Sequence, residues 1–289
     1  MKKVVLIDTS YMAFYRFFAV LRWYQFAHKE DYKKTQEIKN YDWANNKTFT
    51  SKYNKMFLES IEKILKKKTL KDSILVFCCD SQRKDLWRKK IFSEYKDGRV
   101  DLSEKNNFKT VFKYTYKKLI PKIIKQNVYP TFMFKLNKLE ADDLIAIISK
   151  ELIKKNEDID IIIISGDDDF TQLLNKNIKI IDFRNKKYKE MTQKESKKLL
   201  YQKILKGDCS DNIPSIFPKD RKLISLKKRN EILDDTNSLE PFLNSNPEIK
   251  EQIKKQFKIN QKLIDFNFIP KKIVNKVLEL IDINELMIN

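Results

Sequence analysis

A chain of 289 residues that is 42% hydrophobic and 12% aromatic can bury a sizeable core, in one large domain or two unequal ones, and is not composed like a disordered protein. One histidine, His28, and three cysteines, with Cys78 and Cys79 adjacent, fit reduced thiols rather than a disulfide framework and leave almost no material for zinc sites or Ser-His-Asp chemistry. The formal charge of +20 suits a polyanionic partner, yet only eight basic residues are arginine, and a Lys-, Asn- and Ile-rich composition also arises by drift, so distribution must decide.

No apolar run reaches the ~20 residues that span a bilayer, and Asp8 interrupts the N-terminal apolar stretch, so a cytoplasmic protein with no membrane partner is expected. Residues 3–8, KVVLID, predict a buried strand ending in Asp8, and residues 73–80, SILVFCCD, a second ending in Asp80. Helical patterns cover 48–67, 106–126 and 141–154, the last placing Leu144, Ile147, Ile148 and Leu152 on one face. Residues 159–167, IDIIIISGD, predict a third strand ending in Asp167, and 177–183 a fourth. These apolar runs are continuous, as for parallel strands covered on both faces, and their alternation with helices predicts an α/β fold. Beyond residue 200 the strand signal stops. Pro214, Pro218, Pro241 and Pro247 interrupt the chain, and helical patterns return at 251–265 and 270–286, predicting a smaller helical C-terminal part.

Open α/β sheets bind ligands at the carboxyl ends of their strands, where Asp8, Asp80 and Asp167 fall. Glu140, Asp142 and Asp143 in EADD, Asp169 in SGDDD, and Asp208 and Asp211 in GDCSD complete an acidic set. Any one of these is most simply a turn residue or N-cap. Clustered at one edge they would repel unless cations sat among them, and hard divalent ions prefer all-oxygen ligands, which makes Mg2+ the natural choice. Residues two apart on a helix diverge, so Glu140 and Asp142 can meet one metal only if Glu140 precedes regular helix; Asn137 and Glu140 as a capping box is the alternative. Asp167 and Asp169 on extended backbone would share a face, with Asp168 turned away. No glycine-rich phosphate loop is present, which argues against nucleotide-dependent chemistry.

Between Asp80 and residue 99 the segment SQRKDLWRKKIFSEYKDGR interleaves Arg83, Arg88 and Arg99 with Trp87, Phe92 and Tyr95. Basic groups hold phosphates and aromatic faces stack bases, although a solvated amphipathic helix would read the same.

The order LID, CCD, WRKKIFSEYKDGR, EADD, SGDDDFTQL, GDCSDN resembles the 5′-nuclease (flap endonuclease) superfamily with its PIN-like fold, and SGDDDFTQL, ILKGDCSDN and LIDFNFIP resemble its T-even phage replication RNase H branch. The resemblance covers most of the chain. It implies a PIN-like parallel sheet flanked by helices over residues 1–200, with a helical arch at 83–112, and a helical DNA-binding part over 201–289. It implies a Mg2+-dependent 5′→3′ exonuclease and flap endonuclease that removes RNA primers and 5′ flaps during replication. Two Mg2+ ions are expected, with Mn2+ able to substitute: one on Asp8, Asp80, Glu140, Asp142 and Asp167, the other on Asp169, Asp208 and Asp211. Lys96 and Arg99 would act on the scissile phosphate, Tyr95 would stack the terminal nucleotide, and Arg83 and Arg88 would hold phosphates. The family's glycine-rich hairpin is replaced here by IPSIFPKDRKLISLKKRN, which puts a potassium site in doubt but leaves Lys219, Arg221 and Lys222 for phosphate contact. Expected partners are DNA and RNA–DNA duplexes with 5′ ends or flaps, with a single-strand-binding protein or sliding clamp as protein partners of a monomer, although a terminal tail for docking a clamp has little room. Two rivals stay open: a PIN-type endoribonuclease, which needs neither the basic-aromatic stretch nor Asp208 and Asp211, and a non-enzymatic structure-specific DNA-binding protein, which needs no complete carboxylate set.

Overall fold

The computed structural model describes residues 3–98, 107–220 and 222–287. β1 (Lys3–Asp8) runs directly into α1 (Thr9–Ala27), followed by α2 (Lys29–Gln36), α3 (Lys47–Leu65), α4 (Lys67–Lys71) and β2 (Ser73–Cys79). α5 (Phe108–Tyr114) continues through a π-helical turn (Thr115–Leu119) into α6 (Ile120–Gln126), and then come β3 (Thr131–Lys135), α7 (Ala141–Lys155), β4 (Asp160–Ile164), β5 (Ile178–Asp182) and the short β6 (Lys187–Tyr188). The remainder is helical: α8 (Gln193–Lys206), α9 (Leu226–Asp234), α10 (Leu239–Asn244), α11 (Pro247–Ile264) and α12 (Lys271–Leu280).

The strands form one sheet in the order β3-β2-β1-β4-β5-β6, parallel except for β6, which pairs antiparallel with β5. The continuous apolar runs have the predicted cause, since side chains alternate between two covered faces. Val4, Leu6, Ile74, Val76, Ile161 and Ile163 pack against α7 and the segment from Phe266 to Leu286. Val5, Ile7, Leu75, Phe77, Ile162 and Ile164 pack against α1, α3, α5 and α6. A small separate core of Leu205, Phe217, Ile232, Phe242 and Ile253 holds α8 to α11 together. The boundary expected near residue 200 is therefore crossed on the return: α12 and the turn at Ile283–Leu286 close one face of the sheet.

Among the described residues of the arch expected as helix over 83–112, Arg83–Asp85 and Trp87–Lys90 are single 3-10 turns and Phe108–Tyr114 is α-helix. Buried Leu86, Trp87, Arg88 and Tyr95 dock this stretch on the core, and the Trp87 and Ser81 N–H groups donate to the Lys138 and Leu139 carbonyls rather than within a helix. Residues 99–106 of the expected arch lie outside the described residues. Among the described residues no helix is long and apolar enough to cross a membrane.

Candidate functional site

Each acid is fixed by the element it terminates. Asp8 ends β1 and caps α1, its Oδ1 accepting from the Tyr11 N–H at 3.1 Å and its Oδ2 from Ser165 Oγ at 3.0 Å. Ser165 Oγ also accepts from the Asp167 N–H at 3.1 Å, so one hydroxyl ties the end of β4 to the end of β1. Asp80 follows β2, and its Oδ1 accepts from the Ala141 N–H at 2.8 Å, drawing the start of α7 to the same edge. Glu140 has extended backbone and is the N-cap of α7, with Asp143 closing a capping box, so it does precede regular helix as its pairing with Asp142 required. The Asn137–Glu140 box is replaced by this one.

The acids crowd one another. Burial, then Asp80 and Asp167, push the Asp8 carboxyl up to about 7. Burial, followed by Asp8, Asp167 and Glu140, holds Asp142 well above the usual carboxylate range. Desolvation and like charge both disfavour the ionised forms here.

The segment after Asp80 clamps this cluster from one side. Tyr95 Oη lies 3.0 Å from Glu140 Oε2 and 2.9 Å from Asp211 Oδ2, so its single proton is shared between two carboxylates. Lys96 sits in left-handed backbone at φ 60° and donates its N–H to the Asp211 carbonyl at 2.8 Å. Its ammonium pairs with Glu140 and lies 3.7 Å from Asp211 Oδ2. Burial alone would raise Glu140; Lys96 and Arg88 together hold it below its ordinary value.

Two expectations are corrected by burial. Arg88 is 3% exposed and turned inward onto Glu140 and Asp143, and Tyr95 is 3% exposed with its hydroxyl engaged, so neither presents a surface to a phosphate or a base in this structure. The apolar positions around them, Leu86 and Trp87, carry the stretch into the core and take these polar groups with it.

Asp167 and Asp169 both border one cleft. Asp167 caps a 3-10 turn and Asp169 lies within it, aimed at Lys203 on α8; Asp168 turns away to pair with Lys189 at 2.6 Å. Lys203 pairs with Asp169 and, at 2.8 Å, with Asp208, bridging the two acids expected to share the second ion. Burial pushes Asp169 up to about 6, with Asp167 adding to it against the pull of Lys203. Lys203 was not singled out from the sequence, because α8 was not read there; Thr192 followed by Glu195, which form its capping box, was the available signal. A cleft of about 690 Å³ opens here between Asp167, Asp169, Lys203 and Asp208, floored by Tyr11 and Gly166.

Arg83, Lys219 and Lys222 are exposed on loops and turns, free of the core. Arg99 and Arg221 lie outside the described residues.

Among the described residues no three acids close on a common point as a finished ligand shell; Lys96 and Lys203 reach in between them. The donor set nonetheless fits a divalent cation. It is all oxygen, it lies at the carboxyl edge of β1, β2 and β4, and acid neighbours raise the proton affinity of Asp8 and Asp142, which is the repulsion a hard ion relieves.

The model of the 5′-3′ exonuclease N-terminal resolvase-like domain matches residues 3–201. The ribonuclease H of Enterobacteria phage T4 is 29% identical over 231 residues, 77% of this chain and 74% of that one. The 5′-3′ exonuclease of Buchnera aphidicola subsp. Schizaphis graminum is 31% identical over 205 residues, 65% of this chain and 66% of that one. Among solved structures, a T5 5′-exonuclease with bound divalent metal ions (zinc) superposes with a TM-score of 0.62 over 99% of both chains at 17% identity, which shows the shared fold.

Proposed function

We propose that this chain, which belongs to the 5′-3′ exonuclease family, is a divalent-metal-dependent phosphodiesterase that works as a 5′→3′ exonuclease and flap endonuclease and removes RNA primers and 5′ flaps in DNA replication. The observation that carries this reading is the crowding of four carboxylates, buried Asp8, half-buried Asp80 and Asp142 and exposed Asp167, at the ligand-binding edge of a sheet in a chain of charge +20. Two Mg2+ ions, held by Asp8, Asp80, Glu140, Asp142 and Asp167 and by Asp169, Asp208 and Asp211, would supply an activated water and offset charge on the phosphate when bound.

The chain's own groups do the rest. Asp8, Asp80 and Glu140 are tied to the starts of α1 and α7 and keep their oxygens in place without reorganisation. Lys96, held in left-handed backbone beside Glu140 and Asp211, is positioned to turn its ammonium to a phosphate oxygen, with Arg99 as its partner in the same role. Arg83, Lys219, Arg221 and Lys222 hold duplex phosphates. DNA and RNA–DNA duplexes with 5′ ends or flaps are the proposed substrates of a monomer, with a single-strand-binding protein or sliding clamp as proposed partners.

The test is incubation with 5′-labelled flap, nicked and RNA–DNA duplexes, with Mg2+ and with chelator, for wild type and for Asp142→Asn and Asp169→Asn. Cleavage from the 5′ side that needs Mg2+ and is lost in both variants, with duplex binding kept, is expected. Turnover within a few-fold of wild type in either variant refutes the assignment, and cleavage of single-stranded RNA alone would favour an endoribonuclease.

A further inference from the structure

Arg88 is a buried cation, 3% exposed, held by two carboxylates and a carbonyl. Its Nη1 lies 2.9 Å from Glu140 Oε2 and 2.8 and 3.0 Å from the two oxygens of Asp143, while its Nε donates to the Leu263 carbonyl at 2.8 Å. Asp143 is 0% exposed and is pinned in turn by Trp87 Nε1 at 2.9 Å and by the Glu140 N–H at 3.1 Å. Stability alone does not call for such a network, since apolar packing of similar volume serves as well or better. What it does supply is orientation. With Oε2 of Glu140 held by Arg88 and Tyr95, the carboxylate is left with Oε1 for Lys96, whose ammonium also lies 3.7 Å from Asp211 Oδ2.

We infer that Arg88 is a positioning residue that fixes the Glu140 carboxylate toward the metal-binding centre and anchors that hold on the end of α11 through the Leu263 carbonyl. The inference rests on the reading of Glu140 as a metal ligand. The planar guanidinium is what makes the device work: it meets two carboxylates through Nη1 and a carbonyl through Nε at a fixed mutual angle, which a lysine ammonium on a flexible stem cannot do. Groups that orient a ligand from behind in this way are worth about 10- to 100-fold in metal affinity.

The test measures Mn2+ binding calorimetrically on the full chain, without DNA, for wild type, Arg88→Lys and Asp143→Asn, with thermal unfolding of each recorded alongside. Arg88→Lys keeps the charge and loses the fork; it is expected to weaken Mn2+ binding by about 10-fold at temperatures where it is fully folded. Binding of flap DNA in chelator is expected to stay within about twofold, whereas a phosphate contact would weaken DNA binding and leave Mn2+ affinity alone. Asp143→Asn, which removes one of the two carboxylates on the guanidinium and keeps an oxygen for the Glu140 N–H, is expected to move Mn2+ affinity in the same direction, and decides the matter should Arg88→Lys not fold. Mn2+ affinity within twofold of wild type in the folded variants, or no Mn2+ binding by wild type, overturns the inference. A wild type that binds Mn2+ but cleaves none of the labelled duplexes would sink the nuclease reading, while the affinity comparison still judges Arg88.

Discussion

Replacing Asp8 by Asn should make the metal-free protein more stable at alkaline pH while destroying its activity. The substitution keeps the local geometry: Asn caps helices as well as Asp does, its Oδ1 can still accept from the Tyr11 N–H, and its amide can donate to Ser165 Oγ. What it removes is a charge that burial, Asp80 and Asp167 all oppose, which have moved this carboxyl from 3.8 up to about 7. At about 1.4 kcal/mol for each tenfold in proton affinity, the ionised form carries about 4 kcal/mol against folding. Between pH 4 and 7 the native chain holds a proton that the unfolded chain releases, so stability falls as pH rises through that window and is lowest above it. Wild type in chelator should therefore unfold at a lower temperature at pH 8 than at pH 5. Asp8→Asn should exceed it by about 2 kcal/mol at pH 5, where the unfolded carboxyl is already ionised, and by about 4 kcal/mol at pH 8, or about 5–10 °C. Differential scanning calorimetry of both proteins at both pH values is the assay, and the lone His28 cancels in the comparison. Saturating Mg2+ should raise wild type and close the gap, because an ion bound only by the native state stabilises it. A variant no more stable than wild type at pH 8 in chelator would refute the argument that this acid is held against its own charge.

A β-carbon at Gly166 would stand 2.0 Å from Tyr11 Oη and 2.4 Å from its Cζ, so Gly166→Ala should cost about 1–3 kcal/mol and displace the Asp167 loop, and Tyr11→Ala should restore stability in the double variant; additive losses in urea unfolding would count against the contact. Lys96→Gln should lower single-turnover cleavage of a flap substrate by about 100-fold or more with affinity changed only a few-fold, whereas Lys90→Ala, on the exposed side of the same segment, should leave the rate near normal. Equal behaviour of the two would make Lys96 part of a basic face and nothing more.

The central strands were legible because each is a continuous apolar run with an acid at its end; KVVLID forms β1 over the predicted residues. IDIIIISGD ends as strand at Ile164, and Ser165, its N–H still on the Ile181 carbonyl, bridges Asp8 and Asp167 through its hydroxyl, a tertiary bond with no local signature. β3 escaped notice because, as an edge strand, TFMFK is only half-buried and carries no long apolar run. The acids at the site could be read from spacing and strand ends. Their cationic neighbours could not: Lys203 lies on α8 and meets Asp169 only through the fold, and Arg88 looks from its sequence like a surface phosphate ligand. A basic stretch gives no sign that one of its members faces inward; that is decided by Leu86, Trp87 and Tyr95, whose burial turns Arg88 with them.

The closing of one sheet face by residues 266–287 sets an order of events during synthesis. Val4, Leu6, Ile74 and Ile163 emerge from the ribosome early, yet part of the cover they share with α7 is the last stretch described, Phe266 to Leu286. At about 5–20 residues per second, that cover follows β1 by tens of seconds. Over that interval the nascent chain holds an incompletely covered sheet, and Arg88 lacks the Leu263 carbonyl that steadies it. The acidic centre is thus assembled to its final geometry only after Leu263 to Leu286 have been made, which couples competence at the site to synthesis of that stretch.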